Sequence, residues 1–363
     1  MFKSAVKSII TLGKARLRKH QIKLQSHAVQ RLVKEPQPIN SVGHVIFAEF
    51  SKTKFAAHGK VTADRYLPVF SDLLRQHGYK TTITTTVQDL SKAIVDGDYT
   101  VVILVYGEDH FIPDYPDLTE NLLRADLVFN QIASGKIICN KRATHDFLSN
   151  KGVPMPAAQF EGIATKPVFS NHNTSTGADV SVLAAQSLLN SERYNTEFID
   201  TRLQIDNEHY HTTIRLMCVG ATITHASVRA RSVKDGSASV HGKNTPVDAS
   251  LLNSVYDEIV APRLPELHDM AEKISQAMGP GFYCHDVLVE TATGHIYLAE
   301  TGFKFDILSF CKRMANILPD VPAMAGFTTA EDTAKNSFPA FLEIVDAHKN
   351  ASTKNAALCD CNA

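Results

Sequence analysis

The spacing of apolar and polar positions divides the chain into a helical start followed by alternating strand and helix signals. Phe2, Val6, Ile9 and Ile10, then Leu17, Leu24, Ala28 and Leu32, recur near the period of a helix. Pro36 and Pro38 end that pattern and read as a linker, so residues 1–40 form an arm apart from the rest. Val45 to Phe50 then reads as a short apolar strand. Ala63 to Gln76 has helical periodicity and stops at Gly78, Lys80 to Val87 is β-branched, and Val101 to Val105 is a buried strand. This βαβαβ order predicts a small open parallel sheet over residues 41–135. Its ligand edge is expected at the carboxyl ends of the strands, where Glu49 to Lys52 and Tyr106 to Asp109 fall.

A second boundary lies near Ile132 to Lys136, and residues 136–200 read as a smaller α+β lobe with a Pro-punctuated turn and a polar, Gly-containing loop. From 201 to 345 long strands dominate. Thr213 to Cys218 and Ala221 to Arg229 are separated by Gly220 as a hairpin, a helix covers Ser254 to Met278, and Phe282 to Glu290 and His295 to Glu300 form a second hairpin across Thr291 to Gly294. The polar stretch 346–363 is expected to be a flexible tail. The fold class is α/β and α+β, a small parallel domain followed by two further lobes.

Composition changes this picture little. At 44% hydrophobic content, 363 residues can bury a substantial core. The longest apolar runs fall far short of the roughly 20 residues of a spanning helix. Six cysteines spread over the chain, without a signal-peptide pattern, suit reduced thiols in the cytoplasm. The pair Cys359 and Cys361 lacks any zinc spacing and reads as part of the tail. Charge is uneven: formal net charge is −1, yet residues 1–35 carry nine Lys or Arg against the single acid Glu35. That arm suits either peripheral contact with an anionic membrane or a helix docked on the protein itself or on a second subunit in a homodimer; the narrow stripe of Leu17, Leu24, Ala28 and Leu32 favours docking. No aromatic interleaving accompanies the basic run, so a nucleic-acid partner is not expected.

The residues able to do chemistry are ordinary one at a time. Lys141, ahead of a helix, can meet a phosphate near that helix's N-terminus, although a surface lysine is the plainer reading. Lys166 leads into the loop from Ser170 through Ser175, Thr176 and Gly177, whose hydroxyls and backbone N–H groups suit phosphate oxygens. Glu197, Phe198 and Ile199 make a strand end suited to an adenine edge and a ribose. Arg215, Arg229 and Arg231 alternate with apolar neighbours on strands, where a permanent, forked charge suits a phosphoryl group or a carboxylate. Asp286 and Glu300 sit among apolar residues on the two strands of one hairpin. Two carboxylates there call for a cation between them, and Mg²⁺ is the natural one.

It is the order of these features that is informative. From Asn140 to Asp306 the chain resembles the ATP-grasp family, and within it the ligases that join amino acids to peptides or carrier proteins. The resemblance rests on Asn140-Lys141 with Gly152-Val153-Pro154-Met155-Pro156, on Glu197-Phe198-Ile199, on Ile214-Arg215 with Val219-Gly220, and on Asp286 with Leu298-Ala299-Glu300. It implies a two-lobed ATP-grasp fold after a preceding α/β domain, with ATP and Mg²⁺ as cofactors and a small-molecule or peptide carboxylate and an amine as substrates. Lys141, Lys166, the loop with Ser175, Thr176 and Gly177, and Glu197 to Ile199 would bind ATP. Arg215 and Arg229 would steady the transferred phosphoryl group, and Asp286 and Glu300 would hold magnesium. The chain departs from the family where Glu300-Thr301-Gly302 replaces a Glu-x-Asn metal motif, so that either the metal site is remodelled with Asp306 as a substitute ligand or the phosphoryl step is impaired, and where few residues separate Pro156 from Lys166. Two other readings stay open: an ATP-grasp small-molecule kinase, and a nucleotide-binding scaffold with little turnover.

Overall fold

The computed structural model describes residues 36–49, 63–105, 117–138, 141–157, 165–168, 194–236, 238, 240–305, 313–314, 317, 321 and 329–360. The basic arm 1–35, the loop with Ser175, Thr176 and Gly177, Lys52, Tyr106 to Asp109 and Asp306 lie outside the described residues.

The first sheet is formed by β1 (Gly43–Glu49), β2 (Tyr79–Thr84) and β3 (Thr100–Val105), with β4 (Leu127–Phe129) at one edge, in the parallel order β2-β1-β3-β4. Between them run α1 (Ala63–Gln76), α2 (Val87–Ala93) and α3 (Leu118–Leu123). Every residue of β1 and β3 is buried, which is why Val45 to Ala48 and Val101 to Val105 read as unbroken apolar runs: strands covered on both faces have no polar side to alternate with. Val45, Phe47, Val101 and Ile103 face one cluster and Ile46, Ala48, Val102 and Leu104 the other. The β-branched run at Lys80 ends before Val87, because the Thr86 hydroxyl accepts from the Asp89 N–H and caps α2.

Next come α4 (Ile132–Ile138) and α5 (Lys141–Ser149), then the two-stranded sheet of β5 (Thr165–Val168) and β6 (Tyr194–Glu197). A five-stranded antiparallel sheet follows, built from β7 (Arg202–Ile205), β8 (Glu208–Val219), β9 (Thr222–Ser232), β10 (Phe282–Val289) and β11 (Ile296–Phe303). Its order is β11-β10-β8-β7, with β9 also paired to β8. Gly220 makes the tight β8–β9 turn at φ +57, a left-handed backbone that favours glycine, and a Cβ there would lie 2.6 Å from Ile344 Cδ1 and push that methyl aside.

The single helix expected over Ser254 to Met278 is instead two, α6 (Ala249–Ile259) and α7 (Leu264–Met278), joined by a 3₁₀ turn at Ala261–Arg263. Pro262 and Pro265 cannot continue the i to i−4 ladder, yet suit the first turn of a new helix. The inner faces of the two helices, Leu251, Leu252, Val255 and Ile259, then Leu267, Met270, Ala271 and Ile274, pack in one cluster with Ile214, Leu216, Val228, Val287 and Leu298 of the sheet. The stretch 346–363, expected as a flexible tail, is helical to Asp360 as the end of α8 (Ala330–Asp360). That helix is held by packing rather than composition. Phe338 and Phe341 lie edge-on to Phe70 of α1, the Tyr66 and Ser337 hydroxyls are 2.7 Å apart, and Lys349 donates to the Val42 carbonyl at 2.8 Å.

The first sheet and the antiparallel sheet meet at β10. Phe282, its first residue, lies 5.8 Å from both Phe70 and Phe129 in the first domain's aromatic core. Asn130 pins the joint: fully buried and at φ 59, it donates through Nδ2 to the Leu104 carbonyl at 2.8 Å and accepts at Oδ1 from the Phe282 N–H at 2.8 Å. Its own N–H donates to the Pro280 carbonyl at 2.9 Å. Removing the amide strands two buried backbone groups, so Asn130→Ala is expected to lower unfolding free energy by about 3 kcal/mol, measured by urea denaturation.

His225 on β9 gives a pH signature. Burial pulls its pKa from the ordinary 6.5 down to about 3. The unfolded chain therefore takes up a proton below pH 6.5 that the folded chain refuses until about pH 3. Stability contributed by the neutral ring is complete above pH 6.5 and falls by about 1.4 kcal/mol per pH unit below it. His225→Gln is expected to remove that part of the slope in denaturant midpoints measured from pH 7 to pH 4.

Candidate active site

Residues directly opposite one another on paired strands share a face of the sheet. On one face of the large sheet, Ile214 lies opposite Val228 and Val287, and Val287 opposite Leu298; this face packs on α6 and α7. The other face carries charge. Arg215 is opposite Asp286, Asp286 is opposite Glu300, and Thr213 is opposite Arg229. Strand register thus puts Arg215, Arg229, Asp286 and Glu300 on one face of the sheet.

The row is joined by two ion pairs. Arg215 grips Asp286 with a fork, Nε to Oδ1 at 2.6 Å and Nη2 to Oδ2 at 2.5 Å. Lys141 Nζ lies 3.1 Å from Glu300 Oε2. Lys141 is 7% exposed, while Asp286 and Glu300 keep 22% and 17% of their side chains open.

Local structure explains how a lysine at a helix start reaches a distant strand. Lys141 is the first residue of α5, whose far end turns through Gly152 at φ +75, with the Val153 N–H returning to the Leu148 carbonyl. The Pro154 carbonyl then accepts from the Leu298 N–H at 2.8 Å, docking the turn on β11 two residues before Glu300. His145 Nε2 lies 3.0 Å from the Pro156 carbonyl and fixes the turn to the helix. β11 is irregular at this point: Asp286 pairs with Glu300 but Val287 with Leu298, leaving Ala299 as an extra residue. Such a bulge re-aims the neighbouring side chains.

Electrostatics follow the geometry. Burial alone would raise the Asp286 pKa, but the charge and hydrogen bonds of Arg215, with Arg229 and Lys304, hold it well below the usual carboxylate range. Burial alone would lower Arg215; Asp286 outweighs it and raises its pKa. Arg229 is lowered to about 10 by burial and by the like charge of Arg215. Arg215, Arg229, Lys141 and Lys304 gather around Asp286 and Glu300, a concentration of positive charge suited to an anion. Lys304 was not foreseen from sequence; the signal was its spacing of two and four from Gly302 and Glu300, the alternation of a strand carried one residue past its end.

Lys166 is on β5, its backbone opposite Thr196 of β6, and Glu197 ends β6. Half-buried Phe198 and buried Ile199 lead on into β7. Arg231 is tied to Asp235 at 3.2 Å.

For a divalent cation, two facing carboxylates offer the hard oxygen donors that Mg²⁺ takes, with phosphate and water completing its shell. Gly302 adds no side-chain donor, and among the described residues there is no group of three or more His, Cys, Asp or Glu that could hold a metal. The donors therefore fit a cation delivered with a phosphate chain, not one caged by protein alone. Among the described residues no helix is long and apolar enough to cross a membrane.

No family model and no curated protein sequence matches the chain. Solved structures similar to it include the following three. D-alanine–D-alanine ligase from Bacillus anthracis is 11% identical at TM-score 0.47, with 86% of this chain and 99% of that one covered. N5-carboxyaminoimidazole ribonucleotide synthetase from Thermotoga maritima is 9% identical at TM-score 0.45, over 81% and 76%. A RimK domain ATP-grasp protein from Sphaerobacter thermophilus is 12% identical at TM-score 0.42, over 81% and 99%.

The forked pair gives a direct test. Arg215→Gln leaves the Asp286 carboxylate poorly compensated, so it is expected to cost about 2 kcal/mol of stability, most of it recovered by adding Asp286→Asn. Additive losses in denaturant unfolding of the double variant would show that the two side chains do not act as a pair.

Proposed function

We propose that the protein is an ATP-dependent ligase that joins a carboxylate to an amine. The observation that carries this reading is the charged row Arg215, Asp286, Glu300 and Lys141 on one sheet face, with Arg229 and Lys304 adding positive charge. It answers, residue by residue, the requirements of phosphoryl transfer, where catalysis is positioning and charge neutralisation rather than covalent chemistry by the protein.

In this mechanism a carboxylate oxygen attacks the γ-phosphorus of ATP and ADP leaves. The amine then attacks the acyl carbon, the amide bond forms and phosphate departs with the electron pair of the broken carbon–oxygen bond. Lys141 and Lys166 bind phosphate oxygens, the loop with Ser175, Thr176 and Gly177 covers them, and Glu197 to Ile199 hold adenine and ribose. Arg215 and Arg229 face the transferred phosphoryl group with charge that does not titrate near neutral pH. Asp286 and Glu300 would hold Mg²⁺, which neutralises phosphate charge when bound. The reaction is assigned to the cytoplasm.

A second reading has a specific observation in its favour: Gly302 supplies no metal ligand and both carboxylates have cationic partners within the protein, which suits a nucleotide-binding scaffold.

Mg-ATP is expected to stabilise the protein in thermal unfolding, by about 2.7 kcal/mol when present at roughly 100 times its Kd. ADP release should appear with one carboxylate–amine pair in a screen of amino acids and acidic peptides, and Glu300→Gln should abolish it with the fold intact. No stabilisation by Mg-ATP would reject the nucleotide site; stabilisation without ADP release for any pair would favour the scaffold.

A further inference from the structure

We propose that Asp286 and Glu300 form an internal latch: they occupy Arg215 and Lys141 until a divalent cation and a phosphate chain arrive together, and only that joint arrival exchanges the pairs. This rests on the nucleotide-binding reading above and adds to it a coupling between the two ligands.

The argument is one of charge pairing at short range. Both oxygens of Asp286 are taken by the Arg215 fork, and the Lys141 ammonium is 3.1 Å from Glu300. A phosphate chain alone must pull Arg215 and Lys141 from fixed carboxylates and would then lie beside two negative charges that have lost their nearest ion-pair partners. A divalent cation alone must pull the carboxylates away and would leave a guanidinium and an ammonium beside it. Arg229, on the same sheet face as Arg215, is lowered to about 10 by burial and by that like charge, so a cation entering alone adds to existing repulsion. When both ligands enter, each lost pair is replaced by one of the same kind, carboxylate to cation and guanidinium or ammonium to phosphate. No proton moves. Because the charges are largely out of water, a half-exchanged state has little solvent to shield it.

The latch also links elements. Lys141 starts α5 and Glu300 lies on β11, so exchange of that pair frees a helix start from the sheet. The Pro154–Leu298 hydrogen bond remains, which keeps Lys141 near the row.

Calorimetric titration of ADP into the full chain, in EDTA and in excess Mg²⁺, tests this. Wild type is expected to bind ADP at least about tenfold more weakly without metal. Asp286→Asn keeps the shape of the side chain and releases Arg215, and should tighten metal-free ADP binding by about tenfold. Glu300→Gln should do the same through Lys141 and decides the matter should Asp286→Asn not fold by circular dichroism. In wild type the Arg215 Nε–H resonance should move on adding Mg²⁺ and ADP together and stay in place with Mg²⁺ alone. Metal-free ADP binding no tighter in the folded variants than in wild type overturns the latch while leaving the nucleotide site standing. Absence of ADP binding to wild type under both conditions removes the nucleotide reading and the latch with it.

Discussion

The structure depends on one sheet whose two faces obey opposite solvation rules. Ile214, Val228, Val287 and Leu298 seal one face against α6 and α7, and the alternation of strands then forces Arg215, Asp286 and Glu300 onto the other. Charges that would be costly in the core become affordable only because register sets opposite signs side by side. A slip of one residue between β8 and β10 would place Arg215 in the apolar layer and Ile214 in the site. The core and the site are thus two consequences of the same pairing.

That sheet is held in place from outside itself. Phe282 begins β10 inside the aromatic core of the first domain, and Asn130 fastens the same point to β3. The end of the chain returns as α8 to pack Phe338 and Phe341 against Phe70. The Gly152 to Pro156 turn supplies the last constraint, pinning α5 to β11 so that Lys141 meets Glu300. Site geometry here depends on a turn, a buried amide and an aromatic cluster, none of which bears charge.

Much of the fold was legible because its signals are local. Val101 to Val105 is apolar throughout since β3 is covered on both sides, and Gly220 marks its hairpin by a left-handed backbone that glycine adopts without strain. Ser254 to Met278 was misread as one helix because its apolar period runs through Pro262, and periodicity does not register where a hydrogen-bond ladder must stop. The polar stretch after Ala347 was read as tail because its composition favours solvent; packing of α8 on α1 upstream keeps the helix going, an influence invisible to composition.

For the site, sequence alone singled out residues whose types suit the proposed chemistry: Lys141 ahead of a helix, Arg215 and Arg229 on strands, Asp286 and Glu300 on a hairpin. Residue type and spacing specify charge and the face of an element, and both are properties of neighbours in the chain. The partners were decided only in three dimensions. Whether Asp286 meets Glu300, Arg215 or a cation depends on which strands lie beside β10, and Arg215 is brought to it across 71 residues, Lys141 to Glu300 across 159. Electrostatic energy falls off over a few ångströms, so it is settled by the tertiary pairing of strands and by the turn that docks α5, not by position along the chain.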